Sequence, residues 1–196
     1  MGTQFIKIPR KFLELDANTK FMDICVYAVI DNYRCEGKSR ISMENIAKKL
    51  NLNEKRKVVD SIKRLCENGY LKYEQIDSRR YDGYVFNEYS FPLQNDKDGF
   101  LMLDTSILNQ DMNPKSKGML IYLQLIALPN MNQIAERDIK DISKLIKVDK
   151  RTMSKYLKGF MLSGDITLSR AGFYQCRYLF KDVNEKHKIG TEMILD

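Results

Sequence analysis

The segment Ile41–Tyr89 constrains the fold of this chain more than any other stretch, because it contains two helical patterns separated by a very short break. Behind Ser42, apolar residues recur at helical spacing at Ile46, Ala47 and Leu50. Asn51-Leu52-Asn53 interrupts this pattern, and we predict that Asn53 caps the next helix. Two helices joined by so short a turn indicate a helix-turn-helix.

The second helix of this segment is predicted to be amphipathic and basic. Its apolar positions are Val58, Val59, Ile62, Leu65 and Cys66, and its polar positions include Lys55, Arg56, Lys57, Lys63 and Arg64. Asn68-Gly69 is predicted to end it, because glycine accepts the left-handed conformation of a helix terminus. Two β-prone runs, 71–76 and 84–89, then flank the basic segment Ser78–Gly83. Helix, turn, basic helix and hairpin in this order indicate a winged helix-turn-helix.

The same order of patterns occurs again after Phe91–Gly99, which we interpret as a linker. Tyr122 lies 95 positions (122 − 27) after Tyr27, in predicted helices of similar apolarity. Met153, Leu157 and Phe160 match Val58, Ile62 and Leu65, Asp149 is the predicted cap, and Ser163-Gly164 matches Asn68-Gly69. We therefore predict a mainly α fold with small β-wings (α+β), built as two tandem winged helix-turn-helix units in an internal pseudo-dimer.

The predicted boundaries are residues 1–95 for the first unit, 96–182 for the second and 183–196 for a tail. The first helices of the two units, Thr19–Tyr33 and Lys115–Leu128, are expected to form contact surfaces between the halves. Met119–Leu128 in particular is apolar on nearly every side.

Composition limits the possible partners. The chain has 196 residues and a net charge of +7, which favours an anionic partner without identifying it. The longest apolar run is too short to span a bilayer, and Met1–Ile6 lacks the apolar core of a signal peptide. We therefore expect a cytoplasmic protein that does not bind membranes.

A helix fits the major groove of B-DNA, and the second helix of a helix-turn-helix presents its first residues to the bases. The candidate DNA-binding residues are Lys55, Arg56, Lys57, Ser61 and Arg64 in the first unit, Lys150, Arg151, Thr152, Ser154, Lys155 and Lys158 in the second, and Arg79, Arg80 and Arg170 in the wings. Arg56 and Arg151 are suited to bidentate contacts with guanine, and the lysines to contacts with phosphates. The alternative without DNA binding is that these residues form a solvated helix face.

Catalysis has little support in the sequence. His187 is the one histidine, and it has no cysteine or carboxylate constellation around it. The four cysteines show no C-x-x-C spacing, and no phosphate-binding loop or H-E-x-x-H motif occurs. We expect no enzymatic activity, cofactor, metal or small-molecule substrate.

Two segments resemble proteins of Gram-positive mobile elements. Asn113–Leu123 resembles the first-helix motif of winged-helix proteins on plasmids and phages, and Phe5–Leu13 resembles the entry to the DNA-binding domain of their replication initiators. The tandem arrangement is similar to the TraN-type accessory proteins of conjugative plasmids, which bind double-stranded DNA near transfer genes. The resemblance implies a regulator or accessory factor of plasmid transfer that binds double-stranded DNA, with other transfer or replication proteins as further candidate partners.

Two alternatives stay open at this point. A winged-helix replication initiator would also bind DNA, but at repeats within an origin. A protein-interaction module is the other alternative, because winged helices also serve as scaffolds. Because the two predicted recognition helices differ in sequence, a DNA-binding chain is expected to use an asymmetric site.

Overall fold

The computed structural model describes residues 5–14, 20–76, 86–95, 99–109, 111–127, 139–168 and 174–176. These residues form an α+β fold of short antiparallel sheets and α-helices, which is compatible with the predicted winged-helix class. The chain divides into two compact units, Met1–Leu125 and Ile126–Asp196. None of the described helices combines the length and apolarity that crossing a membrane requires.

The first unit contains the elements predicted for the first winged helix-turn-helix together with the first strand and first helix predicted for the second. In chain order these are β1 (Phe5–Pro9), α1 (Lys20–Asn32), β2 (Arg34–Cys35), β3 (Lys38–Ile41), α2 (Met43–Lys49), α3 (Lys55–Glu67), β4 (Lys72–Ile76), β5 (Phe86–Ser90), β6 (Phe100–Asp104) and α4 (Pro114–Ala127), the last of which belongs to this unit through Leu125. Short 3-10 helices occupy Arg10–Glu14, Pro92–Asn95 and Thr105–Asn109.

Two antiparallel sheets occur among the described residues of this unit. The larger has the order β2-β3-β5-β4, so the predicted hairpin is present and a strand that the sequence did not indicate, β3, lies beside it. The smaller pairs β1 with β6, with Lys7 opposite Met102. Pro9 thus lies in a two-stranded sheet, in which each strand has a free edge and a proline is tolerated.

In the second unit the described elements are α5 (Ile139–Ile146), α6 (Lys150–Leu162), β7 (Ile166–Leu168) and β8 (Tyr174–Cys176). The two strands pair antiparallel, with Ile166 opposite Cys176. The helix pair and hairpin follow the predicted order. The predicted tail, 183–196, lies outside the described residues.

The division between the units comes later in the chain than the predicted boundary at residue 95. β6 pairs with β1, and the Tyr122 hydroxyl donates a hydrogen bond to the Leu13 carbonyl at 3.2 Å. The Arg10 guanidinium likewise donates to the Leu125 carbonyl at 3.4 Å. These contacts attach β6 and most of α4 to the first unit.

Helices α1 and α4 form much of the core of this unit. All side chains from Ile24 to Ile30 and from Met119 to Leu123 are buried. This burial agrees with the apolarity on nearly every side that the sequence showed for α4. The helices approach closely at Gly118, where an added Cβ would lie 1.7 Å from the Phe21 carbonyl oxygen. The Phe21 and Tyr122 rings meet edge to face nearby, with centroids 5.8 Å apart.

The close approach at Gly118 predicts that Gly118→Ala lowers the free energy of unfolding by about 3 kcal/mol, because the Phe21 backbone must move to admit a methyl group. Urea denaturation of the full chain measures this change. Gly159→Ala is the matched control, since nothing lies within 4 Å of the added Cβ in α6. Alanine there should stabilise the protein by about 0.5–1 kcal/mol. Equal stabilities for the two variants would contradict the packing described here.

Candidate nucleic-acid interface

The turn between α2 and α3 has the geometry of a left-handed helix cap. The Ser42 side chain begins α2 by accepting a hydrogen bond from the Asn45 backbone N–H at 3.1 Å. Asn51 has a φ of 51°, and the Leu52 N–H donates back to the Ala47 carbonyl at 2.9 Å. The prediction that Asn53 caps α3 is wrong, because Glu54 is the N-cap residue and makes no side-chain cap hydrogen bond.

The turn between α5 and α6 closes in the same way. Lys147 has a φ of 56°, and the Val148 N–H donates to the Ser143 carbonyl at 3.2 Å. Asp149 caps α6 as predicted, since its carboxylate accepts a hydrogen bond from the Thr152 N–H at 2.9 Å. Hydrogen bonds from the side chain and backbone of Thr152 hold the pKa of Asp149 below its ordinary value. Both described helix pairs therefore have the short, αL-capped turn expected of a helix-turn-helix.

A buried carboxylate attaches α3 to α1. Asp23 is 2% exposed, and it accepts hydrogen bonds from the Arg64 guanidinium at 2.7 and 3.0 Å and from the Ser61 hydroxyl. The hydrogen bond to Asp23 raises the pKa of Arg64 above its ordinary value. Ser61 is completely buried, so the prediction that it contacts DNA is wrong, and Arg64 is bound to the protein itself.

Acidic side chains accompany most of the basic residues that α3 exposes. Lys55 pairs with Glu44 of α2, Lys57 with Glu54 at 3.2 Å and Lys63 with Glu67 at 3.9 Å. The hydrogen bond from Lys55 holds the pKa of Glu44 below its ordinary value. Arg56 is exposed and forms no ion pair with any described residue.

The corresponding face of α6 has a different electrostatic character. The helix buries Met153, Leu157 and Phe160, and its exposed basic residues are Lys150, Arg151, Lys155 and Lys158. Within the described part of the chain, none of these four has an ion-pair partner. No acidic residue occurs within α6 itself. The helix therefore presents uncompensated positive charge to solvent.

The structure describes two of the remaining candidate DNA-binding residues and leaves the other three outside the described part of the chain. Thr152 is exposed and Ser154 is half-buried, whereas Arg79, Arg80 and Arg170 lie outside the described residues. The sequence reasoning missed Asp23, Glu44 and Glu54, which determine what the basic residues of α3 contact. Only the Glu54–Lys57 spacing was a readable signal, because residues three apart are neighbours on a helix surface.

Comparison of the chain with protein-family models, curated proteins and solved structures finds no match.

The Asp23–Arg64 pair predicts that Arg64→Ala lowers the free energy of unfolding by about 2 kcal/mol, because the variant leaves a buried carboxylate without its cation. This figure is reduced from that of a fully buried pair because the Arg64 side chain is 32% exposed. The neighbouring Lys63→Ala is the control, and it should change stability by less than about 0.5 kcal/mol, since its side chain is 74% exposed. Thermal or urea unfolding distinguishes them, and equal effects would refute the structural role of Arg64.

Proposed function

We propose that this protein binds double-stranded DNA sequence-specifically through two tandem winged helix-turn-helix units. The observation that supports the proposal most is the exposed face of α6, where four basic side chains have no acidic partner among the described residues. This face belongs to the second helix of a pair joined by a short αL turn, the position from which such helices enter the major groove. Its net positive charge suits a phosphate backbone.

The strand pairing supports the proposed internal pseudo-dimer. β1 and β6 begin 95 positions apart (100 − 5), and α3 and α6 are separated by the same interval (150 − 55). Lys7 lies opposite Met102, its own counterpart at that interval. When each residue of the pair Phe5–Asp104 is replaced by its counterpart at the same interval, the result is the pair Phe100–Pro9, which is also present. Such reciprocal pairing is the property of a two-fold interface, in which each half contributes the same patch.

The biological role that we propose is regulation of, or assistance to, conjugative transfer of a plasmid, and it rests on the resemblance of the chain to TraN-type accessory proteins. The position of the bound sequence tests this role. Sites next to transfer genes support it, whereas repeated sites within a replication origin would favour an initiator.

Titration with a random 30-bp duplex at 50 and 200 mM salt tests DNA binding itself. We expect binding that weakens steeply with salt, because each phosphate contact contributes about 0.9 to the slope of log K against log salt. Lys155→Ala should weaken binding to every sequence and reduce that slope by about 1.

Lys115→Ala provides the matched control, since this exposed lysine lies in α4, which belongs to neither helix-turn-helix pair. It removes the same charge and should leave the slope unchanged. Absence of binding at both salt concentrations would refute the proposed function and favour a protein partner.

A further inference from the structure

The two helix-turn-helix pairs differ in how their exposed positive charge is compensated, and this difference is the basis of a division of roles. α3 contains five basic and two acidic residues, whereas α6 contains four basic residues and no acid. Asp149, the N-cap of α6, lies at the position equivalent to Glu54, but it accepts a hydrogen bond from the Thr152 N–H and forms no ion pair with a described basic residue. Two further carboxylates, Glu44 and Glu54, pair with the lysines at the start of α3. A count of basic residues alone would give α3 the stronger attraction for DNA, and the ion pairs reverse that order.

We propose that the first unit is the sequence-discriminating half of the protein and the second unit is its anchoring half. This inference rests on the proposed function. α6 supplies affinity for any duplex through phosphate contacts of Arg151, Lys155 and Lys158. α3 supplies discrimination, because Glu44 and Glu54 disfavour its approach to a backbone that offers no compensating base contacts.

The chemistry of the first turn of α3 agrees with this role. Lys55 and Lys57 already have carboxylate partners, so their interaction with a phosphate is less favourable than that of an unpaired lysine. The carboxylates themselves are 63% and 62% exposed, and a phosphate brought next to them is repelled. Surface ion pairs of this kind are weak, at about 0–1 kcal/mol, so favourable base contacts can displace them.

The base contacts available at this position favour G·C pairs. Arg56, the exposed cation of the first turn without an ion pair in the described chain, matches the O6 and N7 acceptors of guanine. A glutamate such as Glu54 accepts a hydrogen bond from the amino group of cytosine. The anchoring of α3 to α1 by Asp23 fixes the position of the helix that carries these side chains, which discrimination between bases requires.

The matched positions 95 residues later in the chain contain no such anchor. At the interval of 95, the counterparts of Asp23, Ser61 and Arg64 are Gly118, Tyr156 and Gly159. These residues supply neither a carboxylate nor a guanidinium. A helix that holds phosphates needs less exact orientation than one that distinguishes bases, because phosphate contacts recur along any duplex.

The test compares the full-length double variant Glu44→Gln/Glu54→Gln with the wild type on two duplexes. One duplex has random sequence, and the other is selected by the wild type from a random library. The variant should bind the random duplex several-fold more tightly, with a salt slope steeper by about 2, because two lysines become available to phosphates. Its preference for the selected duplex over the random one should fall by a similar factor.

Glu67→Gln is the control for the change in net charge. Glu67 ends the same helix, about 20 Å from Glu54 at 1.5 Å per residue, which exceeds the Debye length of about 10 Å at 0.1 M salt. This variant should bind both duplexes like the wild type. Lys55→Ala and Lys155→Ala complete the set, and only Lys155→Ala should weaken binding to random DNA.

The outcomes separate the two proposals. If the wild type binds neither duplex, the proposed function fails and the division of roles fails with it. If the wild type binds DNA but the double glutamine variant keeps the wild-type affinity and slope, the division of roles is refuted while DNA binding stands. Equal losses for Lys55→Ala and Lys155→Ala on random DNA would refute it in the same way.

Discussion

The close approach of α4 to α1 at Gly118 is the constraint on which the first unit depends. With no side chain at this position, the α4 backbone can lie against the Phe21 carbonyl, and the Tyr122 ring then meets the Phe21 ring. The same approach accompanies burial of nearly every side chain in the central parts of both helices. Buried from all sides, α1 also provides Asp23, the group that fixes α3. The position of α3 therefore depends on the packing of two helices, α1 and α4, that do not belong to the pair α2–α3.

Apolar periodicity predicted the helices well, because burial acts on every turn of a helix. Val58, Ile62 and Leu65 are buried as expected, and so are Met153, Leu157 and Phe160. The apolar periodicity could not show which polar side chains form hydrogen bonds with one another. Asp23 and Arg64 are 41 positions apart, and Ser61 is buried because it completes that contact. Val59 is 39% exposed despite its apolar side chain, since α3 buries only a narrow stripe. The strand β3 was also missed, because three of its four residues, Lys38, Ser39 and Arg40, are polar and the segment shows no alternation of polar and apolar side chains.

The contrast between α3 and α6 shows why charge composition is a poor guide to electrostatic function. Both helices begin with a Lys-Arg pair and both would be classed as basic. The carboxylates that pair with the first turn of α3 are Glu44 of α2 and Glu54 of the N-cap, and only the folded turn brings Glu44 close to Lys55. The electrostatic potential at an exposed helix face depends on such neighbours within a Debye length. Two helix pairs with the same turn geometry can therefore differ in the charge that they expose.

The pairing of β1 with β6 has a consequence for the order in which the chain acquires structure during synthesis. Phe5 and Asp104 are paired but lie 99 positions apart, so β1 emerges from the ribosome long before its partner exists. At typical elongation rates that delay is on the order of ten seconds. Throughout it, β1 has two free edges, and the first unit lacks the α4 side chains that complete its core. The same ladder can form between β1 of one nascent chain and β6 of another, so polysomes of this protein are exposed to strand exchange between copies.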